Sequence, residues 1–161
     1  MRPPHGRACR SPEKMRFEDA LQHLYVDGSW RDIYALNASD TELNRFMAFV
    51  LPFLGDDSFR IGGEVDLIPL SYGEVYNHSS NLTKHLSIPL GTGTVNCHFF
   101  CDDELELDFR PQDYNSPEQW EHLDSFLRGL AKAMHRDLIV TAENQPNTIH
   151  IKYEEGEQVA P

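Results

Sequence analysis

Glu104-Leu105-Glu106-Leu107-Asp108-Phe109 alternates acidic and apolar side chains over six consecutive positions. Successive side chains of a β-strand point to opposite faces. A strand here buries Leu105, Leu107 and Phe109 and shows water a row of carboxylates from Glu104, Glu106 and Asp108. The surroundings extend the pattern. Between Cys101 and Asp124 stand nine acids (Asp102, Asp103, Glu104, Glu106, Asp108, Asp113, Glu118, Glu121 and Asp124) against one strong base, Arg110. A negative face of this kind suits a basic partner.

Upstream, His85 to Leu90 and Thr94 to Phe100 read as two strands joined by the hairpin connection Gly91-Thr92-Gly93. Downstream, Ser116-Pro117-Glu118-Gln119 is a helix start, with Ser as N-cap, Pro at the first helical position and Gln at the capping-box site. Trp120, Leu123, Phe126, Leu127, Leu130, Ala131 and Met134 then form one apolar stripe. Phe17 to Tyr25 reads as a short helix with Phe17, Leu21 and Leu24 on one side, followed by a turn at Asp27-Gly28-Ser29. Trp30 to Leu36 reads as a strand. Ser39-Asp40-Thr41-Glu42 has capping-box spacing and opens a helix carrying Leu43, Phe46, Met47, Val50, Leu51 and Leu54, which Pro52 weakens. Ser58 to Leu70 reads as extended with a bend at Gly62-Gly63, and Ser71 to His78 as a helical turn. Asp137 to Thr141 and Thr148 to Tyr153 read as strands around the turn Asn144-Gln145-Pro146-Asn147. Runs of strands with few helices give an α+β fold: a mainly antiparallel sheet of about five to seven strands with two principal helices packed on one face.

At 161 residues the expectation is a single domain. Residues 1–14 differ from the rest: three Arg, one Lys and one Glu, three prolines, no periodicity and little to bury. They read as a disordered extension, with translation expected to begin at Met15. Residues 15–153 form the α+β domain, and 154–161 a loose acidic tail. The 40% apolar content supports a folded core. The formal charge of −12 argues against nucleic acid, whose phosphates need clustered Lys and Arg, and against anionic lipid. No apolar run is long enough to span a membrane. Three cysteines make no disulfide framework and fit a reducing, cytoplasmic compartment.

Two readings compete at Cys97-His98-Phe99-Phe100-Cys101. With Asp102 and His85 it offers His85, Cys97, His98, Cys101 and Asp102 as metal ligands. The spacing lacks the paired knuckles of structural zinc sites, and the alternation instead describes a core strand with Cys97, Phe99 and Cys101 on one face. The eight histidines are scattered, no catalytic or phosphate-loop motif occurs, and no cofactor is called for.

In size, acidity and α+β pattern, Met15 to Tyr153 resembles small bacterial immunity proteins, which neutralise a cognate toxin. The resemblance implies a non-enzymatic protein whose partner is a basic protein such as a nuclease toxin. The residues offered to that partner are Asp102, Asp103, Glu104, Glu106 and Asp108, with Glu118, Glu121 and Asp124 on the helix that follows. Trp30, Trp120, Tyr114 and Tyr153 are candidate aromatic anchors. The alternative is a small enzyme or a ligand- or metal-binding domain with its site near the Cys97–Asp102 strand and His85.

Overall fold

The computed structural model describes residues 15–78, 81–155 and 157–159. The extension 1–14 and positions 156, 160 and 161 of the tail lie outside them. In chain order come α1 (Phe17–His23), β1 (Arg31–Ala35), α2 (Asp40–Val50), β2 (Phe59–Ile61), β3 (Glu64–Val65), α3 (Tyr72–Tyr76), β4 (Lys84–Leu90), β5 (Gly93–His98), β6 (Leu105–Phe109), α4 (Pro117–Met134), β7 (Leu138–Ala142), β8 (Gln145–Glu154) and β9 (Glu157–Val159). The fold is α+β, with one sheet ordered β3-β2-β4-β5-β6-β1-β7-β8-β9 and antiparallel at every described pairing.

Among the described residues there are therefore nine strands, against the five to seven expected. The excess comes from short edge pieces. The Gly62-Gly63 bend is the turn of a hairpin between β2 and β3, with both glycines at positive φ. Past Tyr153, β8 runs on to Glu154, and β9 pairs back along it. The expected turn at 144–147 also shifts, because β8 starts at Gln145 and the reversal falls at Glu143 and Asn144.

β1 is the central strand, between β6 and β7, with Ile33 opposite Leu107 and Tyr34 opposite Glu106. All five of its residues are buried. Ile33 and Ala35 join Leu105, Leu107 and Phe109 in the core, where all five are fully buried. All four described helices contribute side chains to this same core, so the layer they form covers one face of the sheet. In α1 the buried positions are Ala20 and, just past its end, Leu24, while Leu21 stays exposed. Arg31, also buried, closes the α1–β1 connection. Its guanidinium donates to Ser29 Oγ and to the carbonyls of Trp30 and Tyr25, and lies over the Tyr25 ring.

α2 has its full capping box, Ser39 with Glu42. α4 starts at the Ser116 cap but uses Gln119 differently. The Gln119 side chain accepts from Thr92 N at 2.8 Å, tying the β4–β5 hairpin to the helix instead of closing a box. Gly91 sits in that turn at φ +59, where a Cβ would strike Gln119.

Asp124 lies on the inner side of α4 with no exposed surface. It accepts from Tyr153 Oη at 2.7 Å and Arg128 Nε at 2.9 Å, so it pins α4 to β8. Removing it takes away the acceptor of the 2.7 Å Tyr153 hydrogen bond inside the core. Asp124→Ala is expected to lower the unfolding free energy by about 1–3 kcal/mol in urea denaturation, and exposed Glu121→Ala by less than about 0.5 kcal/mol.

Candidate functional site

The alternation that buries Leu105, Leu107 and Phe109 sends Glu106 and Asp108 to the sheet face that no described helix covers. β1 contributes Asp32 and Tyr34 to that face, β5 contributes Asn96 and His98, and β4 contributes His85 and Ser87. Pairing lines these up in two rows across the strands. One runs Thr141, Asp32, Asp108, Asn96, Ser87, and the next Ile139, Tyr34, Glu106, His98, His85, Arg60.

The carboxylates are not freely solvated as the alternation alone implies. Glu104, Glu106 and Asp108 are half-buried, and Asp32 is only 5% exposed. Asp108 is fully engaged: Asn96 Nδ2 donates to Oδ1 at 2.8 Å, and His98 Nε2 contacts Oδ2 at 2.6 Å. Asp32 Oδ2 accepts from Asn144 N at 2.7 Å and Tyr34 Oη at 3.1 Å. Tyr34 Oη also lies 3.5 Å from Glu106 Oε1. One phenolic proton cannot serve both carboxylates, and at that length the Glu106 contact is weak.

These positions set the pKa values. Burial, then the neighbouring Asp108 and Glu143 charges, raises the pKa of Asp32, against the pull of its two donors. Burial and the charge of Asp32 raise that of Glu106. Burial and Asp103 raise that of Glu104. The hydrogen bond to Asp108 raises the pKa of His98, whereas burial and the nearby His98 lower that of His85, whose ring centroid is 5.6 Å away. Phe100, 62% exposed, stacks on His98 at 5.3 Å and supplies an aromatic edge to the face.

The acids singled out in the sequence are thus divided. Glu104, Glu106 and Asp108 share the open face. Asp102 and Asp103 are exposed on the loop before β6, with Asp103 O accepting from Ala38 N. Glu118 and Glu121 are exposed on α4, in the layer on the opposite side of the sheet, and Asp124 is buried under it. Of the aromatic candidates, Tyr114, Trp120 and Tyr153 are core residues and Trp30 is half-buried. The metal candidates also diverge. Cys97 is fully buried on the core face, with its thiol pushed well up by burial, while His98 and His85 lie on the open face and Cys101 is exposed. Among the described residues no group of three His, Cys, Asp or Glu side chains converges as a metal site. Sequence reasoning missed Asp32 and Tyr34. The alternation Asp32-Ile33-Tyr34-Ala35 was a usable signal for a shared face, but their placement beside Glu106 depends on the β1–β6 pairing.

The fold and face define an α+β domain with an acidic sheet surface that no described helix covers. No family model, no curated protein and no solved structure matches the chain. Among the described residues no helix is long and apolar enough to cross a membrane.

His98 gives the face a pH signature. Its pKa is raised on folding above about 6.5 by the hydrogen bond to Asp108, so the His98–Asp108 pair stabilises fully below that value and loses its contribution as pH rises through the folded value. Asp108→Asn is therefore expected to cost about 1.5 kcal/mol at roughly pH 5.5 and clearly less at about pH 8.5, read by denaturation at both.

Proposed function

We propose that this is a non-enzymatic interaction protein that binds a basic protein partner through the open face of its sheet. The observation that carries the reading is the charge left on that face. Asp32, Glu104 and Glu106 are partly or largely withdrawn from water, yet no described Lys or Arg forms an ion pair with them. Ionised groups removed from water are costly unless paired, and a cationic surface docked here relieves that cost. The overall charge of −12 steers such a partner inward at long range. The finer reading is an immunity-type protein that occludes a basic toxin. In either form the docking residues are Glu104, Glu106 and Asp108 with Asp32, flanked by Asp102 and Asp103, and Phe100 is the exposed aromatic beside them. Glu118 and Glu121 face away and serve as controls.

A second reading places a small catalytic or ligand site on the same face. It rests on Ser87 Oγ lying 3.3 Å from His85 Nδ1, beside the His98–Asp108 pair. Bound metal in the purified protein, or ester hydrolysis lost in His85→Gln, would favour it.

The docking reading is tested by capture from the protein's own host at low salt, followed by association kinetics with the captured partner. Neutralising Glu104, Glu106 and Asp108 together to their amides is expected to slow association at least about tenfold at low salt, with the difference shrinking as salt screens the field. The Glu118→Gln, Glu121→Gln pair is expected to leave the rate within about twofold. Equal rates for wild type and the sheet-face variant would sink the reading.

A further inference from the structure

We propose that Asp32, Tyr34 and Glu106 form the anchor point for one arginine side chain of the basic partner. The inference rests on the docking reading above and names the chemistry at its centre.

Three carboxylates meet on the open face, and the donors available to them are unequally shared. Asp108 has a partner for each oxygen. Asp32 has two donors, both on Oδ2. Its Oδ1 makes no hydrogen bond among the described residues, although the residue is 5% exposed and lies on the face itself. Among the described residues Glu106 has only the long contact to the Tyr34 hydroxyl, whose single proton has a closer acceptor on Asp32. The deficit of donors and of positive charge therefore falls on Asp32 Oδ1 and Glu106, on either side of one phenol. Among the described residues, the buried side-chain atoms left without a partner do not include Asp32 Oδ1, so this oxygen is open to solvent, and an accessible carboxylate oxygen without a protein donor is a position that a hydrogen-bonding cation can take.

An arginine suits this geometry better than a lysine. Asp32 and Glu106 are diagonal neighbours on adjacent strands, with Tyr34 Oη between them. A planar guanidinium carries five donors in a fixed fork and can serve two separated acceptors at once, whereas an ammonium is a compact point charge. The Tyr34 ring also borders a depression of about 490 Å³ whose wall includes Leu36, Ile139 and Ile149. That wall accommodates the aliphatic stem of the incoming side chain. Lys152 and Arg136 line the same depression, and each is engaged elsewhere, Lys152 with Glu154 and Arg136 with the Leu36 carbonyl; neither forms an ion pair with Asp32 or Glu106.

The test uses fluorescently labelled hexa-arginine and hexa-lysine peptides with the full chain, at low salt, by anisotropy titration. Saturable binding of hexa-arginine is expected, weakened about tenfold by Asp32→Asn and by Glu106→Gln and left within about twofold by Glu118→Gln and Glu121→Gln. Glu106 is half-exposed, so its variant reports even if Asp32→Asn fails to fold. Hexa-lysine is expected to bind several-fold more weakly. Equal affinity for the two peptides would overturn the assignment to arginine. Binding weakened by Glu104→Gln but indifferent to Asp32 and Glu106 would overturn the anchor and leave the docking face standing. Absence of saturable binding, or equal losses in the helix-layer controls, would overturn the docking reading itself.

Discussion

The antiparallel pairing of β1 with β6 is the constraint on which both the core and the acidic face depend. Ile33 opposite Leu107 sets one side of the seam, and Tyr34 opposite Glu106 sets the other. Side chains alternate along a strand, so a slip of one residue would exchange the two sets. It would place Glu106 and Asp108 against α2 and α4 and expose Leu105, Leu107 and Phe109. The fully buried aliphatic positions therefore specify the register, and the register assembles the site. The helices act through the same seam, because their apolar stripes close on the core side.

Much of this was legible in the chain. The β6 alternation, the stripe of α4 and the capping box of α2 are local signals, and local signals survive in one sequence. The position of β1 was not legible. It is separated from β6 by about seventy residues, and nothing in Arg31-Asp32-Ile33-Tyr34-Ala35 states which strands will flank it; that is decided by burial in three dimensions. The same limit explains the acids. Glu118, Glu121 and Asp124 follow β6 closely in sequence, yet the chain turns from sheet to helix layer between them. Asp124 then lies at the inward phase of the helix and becomes a buried acceptor. Edge strands of two or three residues, such as β3 and β9, carry too few positions for a period to show.

The polar face is also more structured than a solvated row. Its histidines, amides and phenol organise the carboxylates into a network in which Asp108 is satisfied and Glu106 is not. Networks of this kind in reduced dielectric are strongly coupled, so a substitution at one member redistributes protons and contacts among the rest. Asp32 occupies the least accessible position in the network and is the member whose replacement most directly changes its neighbours.

The division of labour along β6 has a consequence for how the surface can be altered. Odd positions carry packing and even positions carry charge, on one backbone. Glu104, Glu106 and the exposed Phe100 beside them can be exchanged without changing the volume of the core, so recognition can be rewritten while the scaffold stays fixed. Asp32 is the exception, because its Oδ2 also holds the Asn144 turn that leads into β8. The face thus combines an adaptable rim with one invariant point, and a library built on this fold would vary the rim and leave β1 alone.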